Sequence, residues 1–300
     1  MSSDARPVDD TASMTSDHFP RPARRLLLIE IALLLTVTFG MSGLRSTLRL
    51  ISALLDPTPL NEQVTSLNAS QSAIPWLDLG LQLASAAALT SWGGLALFVL
   101  YVHQRPASIP IARRGRLGSR AVASASKPQT GVVPFRIPAP AELGGRGGAR
   151  TWAQGAALAA LIGIPGLALY VAAIHLGWSK QVIPAPLEHL WFSVPVLVIW
   201  SFANAFAEEI VVVFWLATRM RQLGSSSIVI VIASSLLRGS YHLYQGVSAG
   251  FGNIAMGVVF SYFFLRTGKV WPLVVAHFLI DAVAFVGYQA LGGNLGWLGL

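Results

Sequence analysis

Cysteine is absent from the chain. That excludes disulfides, thiolate metal ligands and a cysteine nucleophile. Charge is scarce as well: Asp, Glu, Lys and Arg make up 11% of the 300 residues, whereas a soluble domain carries roughly a quarter. A chain so poor in charge cannot cover a water-facing surface. There is no HExxH segment, which excludes the standard zinc-protease helix, and no serine-centred strand-to-helix elbow. No internal repeat is visible, although a proton-coupled transporter favours repeated halves with helices broken at the bilayer midplane.

What the chain has instead is apolar. Hydrophobic residues make up 54% of it, a composition that predicts an all-α, polytopic bundle of transmembrane helices. Strands are no alternative within the spans, because an open sheet leaves its edges unsatisfied in lipid. Threading the hydrophobic runs predicts about seven spans, near 26–44, 78–102, 152–176, 188–217, 226–246, 252–265 and 270–290. The predicted organisation is a disordered tail over 1–25, two leading spans within 26–102, a basic loop over 103–150, a helical bundle over 151–290 and a tail over 291–300.

The net charge of +8 suggests nucleic acid at first sight, but its distribution excludes that partner. Nine Arg or Lys residues against one acid fall between residues 103 and 150, as in a cytoplasmic loop facing anionic lipid. "RPARR" at 21–25, "RMR" at 219–221 and "RTGK" at 266–269 thread to the same side. The expected location is a bacterial plasma membrane, with lipid as the surrounding partner, the N-terminus in the cytoplasm and the C-terminus outside. Glu30, just inside the first span, is expected to snorkel to the interface.

Several spans carry groups that lipid rejects: Asn204, Glu208 and Glu209; Arg238, His242 and Gln245; Asn253; His277 and Asp281. Such groups face the bundle interior and mark functional sites by default. Glu208 and Glu209 are consecutive, so on an α-helix they point about 100° apart. The expectation is that one faces a cavity while a cation holds the other. Arg238 with His242, and His277 with Asp281, are spaced i,i+4 and share a face. Tyr241 and Tyr244 flank His242, as packing residues or as donors to a substrate. Three uses are open. Glu208 could act as a general base. Glu208, His242 and His277 could hold Zn²⁺ with an open position for water. The same groups could instead relay protons. Counted from the basic turns, Glu208 lies roughly 16 Å and His277 roughly 12 Å along their helices, which predicts access from the cytoplasmic half. His242, roughly 24 Å from the turn at 225–227, is out of line.

"EEIVVVFWL" at 208–216, "LLRGSYHLYQG" at 236–246 and "AHFLIDAVAF" at 276–285 resemble the CPBP intramembrane metalloproteases, the family of CAAX prenyl proteases and bacteriocin-processing enzymes. The resemblance covers about residues 150–290. The family motifs EExxxR, FxxxH and HxxxN or HxxxD fall on Glu208 and Glu209, on His242, and on His277 and Asp281. The resemblance implies an intramembrane endopeptidase with a peptide or membrane-protein substrate. By it, Glu208 and His242 activate a water, while His277 and Asp281 bind a metal or stabilise the oxyanion. Two positions depart from the pattern: Val213 stands where the motif has Arg, and Arg238 where it has Phe. We therefore expect Arg238 to supply the missing cation and to pair with Glu209, with Asn204 as a further supporting residue. The rival reading is a non-catalytic scaffold, immunity or regulatory protein of the same fold.

Overall fold

The computed structural model describes residues 21–104, 145–184 and 190–290. They are mostly helical: α1 (Arg21–Val37), α2 (Phe39–Leu54), α3 (Pro75–Gln104), α4 (Gly145–His175), α5 (Leu190–Glu208), α6 (Leu216–Gln222), α7 (Ser227–His242), α8 (Val247–Thr267) and α9 (Trp271–Ala290). A π-helical segment, Glu209–Trp215, joins α5 to α6. Two short strands, β1 (Val64–Leu67) and β2 (Gln181–Pro184), pair in parallel outside the helical spans.

The protein is a multi-pass membrane protein, but seven equal spans overstate it. Among the described residues five helices are long and apolar enough to cross a bilayer, and α1 with α2 makes a sixth if that bent pair is one span. The missing span is α7. Its 16 residues reach about 24 Å, short of the roughly 30 Å hydrocarbon core. The leading span also differs from expectation. It begins at Arg21, continues to Leu54 and bends by 49° at Thr38. There the Thr38 hydroxyl takes the Leu34 carbonyl at 2.7 Å, competing with the backbone ladder. The basic stretch is helical from Gly145 onward as the start of α4. Most of both predicted tails and of the basic loop lies outside the described residues.

The α5–π–α6 rod is the centre of the bundle. Buried residues make up 67% of its apolar window, against 17–44% for the other four long helices. Every residue from Glu209 to Trp215 is buried. The apolar run beside the two acids is therefore the core of the bundle, surrounded by α3, α7, α8 and α9. The π geometry has an identifiable partner. The Leu216 N–H reaches back five residues to Val211, and the Ser234 hydroxyl on α7 donates to the Val212 carbonyl at 2.8 Å. A side chain entering the carbonyl ladder from a neighbouring helix is one way such widening is held.

Helices α7 and α8 come together on small residues. A Cβ on Gly257 would stand 2.7 Å from the Ser235 Cα, so the backbones touch where a larger residue would hold them apart. Gly246, between them, has φ +121°. A Cβ there would also meet the Ser179 Cα at 2.8 Å. Glycine alone meets both conditions.

Glu30 does not snorkel. Its carboxylate accepts from Arg219 Nε at 2.7 Å and from Trp215 Nε1 at 3.1 Å. It thus ties α1 to the lower end of the central rod. Arg219, which is buried, also donates to Gln222 and to the Val99 carbonyl. Glu30→Leu is expected to lower stability by roughly 1–3 kcal/mol, read from the thermal unfolding midpoint in detergent.

Candidate active site

The second polar cluster lies where α5, α7 and α9 meet. Glu208 closes α5 and Glu209 opens the π segment. Both carboxylates reach one guanidinium, with Arg238 Nη1 at 3.2 Å from Glu208 Oε2 and Arg238 Nη2 at 2.5 Å from Glu209 Oε1. The separation of roles expected from α-helical geometry is therefore only partly realised. The helix widens at this point, and a guanidinium is a planar fork able to serve two acceptors at once. Arg238 is wholly buried, 5.6 Å from the Phe260 ring centroid and against Met256 Sδ. The pairing with Glu209 anticipated from the Val213 and Arg238 departures is present, and it includes Glu208.

Exposure distinguishes the two acids. The Glu209 side chain is fully buried, while Glu208 retains 9% of its surface, His242 17% and Asp281 17%. Glu209 and Arg238 form the dry floor of the cluster, and Glu208, His242 and Asp281 its accessible side. Tyr241 donates its hydroxyl to Glu208 Oε2 at 2.7 Å. Its ring packs on Phe39 of α2 at 4.8 Å between centroids. Of the readings open for Tyr241, packing holds, and its hydroxyl donates within the protein, to Glu208. Its position three residues after Arg238, on adjoining faces of one helix, was the available signal.

His277 lies between two carboxylates. Its Nδ1 is 2.8 Å from Glu209 Oε1 and its Nε2 3.7 Å from Asp281 Oδ1. An ionised carboxylate only accepts, so the Nδ1–H donates to Glu209. Asn204 donates to the other Asp281 oxygen at 3.1 Å, which brings the supporting asparagine into the cluster. His242 Nε2 is 3.7 Å from Glu208 Oε2, and neither ring nitrogen has a hydrogen-bond partner among the described residues. Two other polar residues stay out. Asn253 donates to the Ala249 carbonyl of its own helix, and Gln245 donates to the Tyr244 hydroxyl.

The three residues considered as zinc ligands, Glu208, His242 and His277, do not form a ligand set. No three His, Asp or Glu side chains are grouped to hold a metal ion among the described residues. Glu208 already carries a guanidinium and a phenol, and His277 Nδ1 already serves Glu209. A dication at Glu208 would press against the buried Arg238 charge, a costly juxtaposition in a low-dielectric interior.

The level of His242 differs from the sequence expectation. The central rod runs on to Gln222 and α7 starts at Ser227, so Glu208 and His242 are almost level when counted from that turn. The misalignment of His242 disappears. His242 is the last residue of α7. One 3₁₀ turn beyond it, the Gln245 carbonyl accepts from Lys180 N–H at 3.1 Å. The far end of the bundle holds the Arg219–Val99 contact, near the end of α3. The turn that follows His242 is thus fastened to the segment between α4 and β2.

Residues 189–283, about a third of the chain, match the family described as Type II CAAX prenyl endopeptidase Rce1-like. The match takes in all of the cluster except the α2 residue that packs on it. No curated protein and no solved structure matches the chain.

Proposed function

We propose that this protein is an intramembrane endopeptidase that hydrolyses a peptide bond with a water activated by Glu208 and His242. The observation that carries the reading is convergence. Glu208 Oε2 lies 3.7 Å from His242 Nε2 and 4.0 Å from His277 Nδ1, although the three residues come from three separate segments. The Glu208–His242 gap exceeds a direct hydrogen bond but is within reach of one shared water. Glu208 takes the proton from that water, and the resulting hydroxide attacks the scissile carbonyl. His242, which has no other partner among the described residues, shares the proton and returns it to the leaving amine. His277, held at Nδ1 by Glu209 and flanked at Nε2 by Asp281, acts as an imidazolium that stabilises the oxyanion. Arg238 and Tyr241 hold Glu208 in place.

The match over 189–283 supports the reaction class. A peptide or membrane-protein substrate follows from it as part of this proposal. The rival is a non-catalytic scaffold or regulator, and one observation favours it: both acids are already engaged by Arg238. Tyr241→Phe separates the two readings. In an enzyme it lowers cleavage about tenfold, through loss of a hydrogen bond to a charged group worth roughly 1.5–3 kcal/mol, whereas a scaffold keeps its partner binding. The measurement is cleavage of a peptide library by purified protein beside the variant.

The proposed orientation keeps the basic clusters in the cytoplasm and places β1 and β2 on the opposite face. The chain has no cysteine, so single replacements report on it directly. Ser66→Cys should react with an impermeant maleimide in intact cells, and Ser124→Cys only after permeabilisation. The reverse pattern inverts the topology.

A further inference from the structure

A peptide bond inside a helix cannot be cut as it stands, because its carbonyl is bonded within the helix and shielded by side chains. The substrate must be extended next to the catalytic groups, and its freed backbone groups then need partners in a poorly hydrated place. The structure holds such partners beside the turn that follows His242.

Among the described residues strand β1 pairs only with β2, in the register Val64 with Gln181 through Leu67 with Pro184. The Gln181 N–H donates to the Gln63 carbonyl at 2.9 Å, and the Val182 N–H donates away from β1 to the Tyr170 hydroxyl at 2.9 Å. In a parallel ladder alternate residues face the partner strand. Gln63, Thr65 and Leu67 therefore direct their ladder groups toward β2, and Val64 and Ser66 direct theirs outward. No described residue takes the outward groups. Val64 and Ser66 are exposed, whereas Thr65 and Leu67 are half-buried.

The sheet is fastened next to the catalytic cluster. The Thr65 hydroxyl donates to the Tyr244 carbonyl at 3.4 Å, and Tyr244 N–H donates to Ser46. Ser179 bridges Gly246, and Lys180 bonds Gln245. The small sheet is thus fastened to the turn that directly follows His242.

We propose that the open edge of β1 takes up the substrate as a third strand, with Val64 and Ser66 supplying main-chain hydrogen bonds to an extended peptide beside His242. The ligand class is a peptide backbone with little demand on side-chain identity, since the bonding groups are all main-chain. The inference rests on the peptidase reading for the reaction that follows, and the test keeps the two apart.

The probe is a pool of uncharged apolar decapeptides added to full-length protein in lipid nanodiscs. In a Glu208→Gln background, photo-reactive p-benzoylphenylalanine replaces Ser66, Val64 in a second protein, or the exposed Leu55 as a control. Capture at position 66 or 64, well above that at 55, is the expected result. Equal capture at all three positions overturns the proposal, whatever the wild-type protein cleaves. Cleavage of the same pool by wild-type protein is scored separately. Capture without cleavage keeps the binding edge and removes the peptidase reading; cleavage without capture does the reverse. In an active protein, Val64→Pro and Ser66→Pro each remove one outward N–H without touching the ladder, since proline is tolerated on an edge that faces away. Each should raise KM about three- to tenfold with kcat near wild type. Thr65→Pro breaks the pairing with β2 and lowers the unfolding midpoint instead.

Discussion

Glu208→Gln is expected to reduce peptide cleavage by about 10²–10⁴-fold, the usual contribution of a positioned general base, while leaving the unfolding midpoint close to that of the parent protein. The two halves of this result come from different atoms. A glutamine carbonyl still accepts from the Tyr241 hydroxyl and from Arg238 Nη1, which lie at 2.7 and 3.2 Å from Glu208 Oε2, and the Arg238 charge keeps Glu209 as its counter-ion. An amide oxygen is far too weak a base to take a proton from water. Single-turnover cleavage in detergent or nanodiscs measures the first effect, and thermal unfolding of the same preparation measures the second. Equal cleavage by both proteins removes Glu208 from the reaction. Loss of activity together with a collapse of the midpoint makes it a structural residue.

Arg238→Met should have the largest effect on stability. It leaves Glu208 and Glu209 facing each other with no cation between them, in a position where Glu209 has no exposed surface. Breaking a buried pair by removing one partner costs about 3–5 kcal/mol. Arg238→Lys should fall between, because an ammonium is a point charge and cannot present two parallel donors to two carboxylates. The double variant Glu209→Gln/Arg238→Met should be markedly more stable than Arg238→Met alone, since the orphaned charge is gone. A double-mutant cycle on unfolding free energy measures that coupling directly. Additive losses would mean that the contact between Arg238 and Glu209 carries no energy of its own.

Much of this site could be read along the chain because charged groups are so expensive in a bilayer. Glu208, Glu209, Arg238, His242, His277 and Asp281 stand out in apolar runs, and a buried charge must find a partner. The i,i+4 spacing of His277 and Asp281 placed them on one face, and the structure holds them 3.7 Å apart. The absence of an arginine at Val213, set against an arginine at 238, was enough to anticipate the ion pair with Glu209. That Glu208 joins the same guanidinium was not readable. It rests on the approach of α7 to the end of α5, which joins residues 30 positions apart. Glu30 misled for a similar reason. A carboxylate near the end of a span has two ways out, toward water or toward a cation. Only the placement of Arg219, 189 residues later, selected the second.

The number of crossing helices also separates local from distant causes. Hydropathy located the five long helices, with some ends displaced by five to seven residues, because length and apolar content are properties of each segment alone. It could not separate α7 from a full span, since a short helix between α2 and α8 is stabilised by its neighbours. Nor could it foresee β1 and β2, whose pairing joins residues more than a hundred positions apart in stretches with no shared pattern. The sequence by itself thus determined a membrane-embedded helical bundle and the identity of its polar residues, because those follow from the cost of moving each group out of water. The tertiary structure alone decided which carboxylate keeps an exposed surface, which cation joins the two acids, and which turn the small sheet is fastened to. Those outcomes depend on distances between segments that only packing brings together.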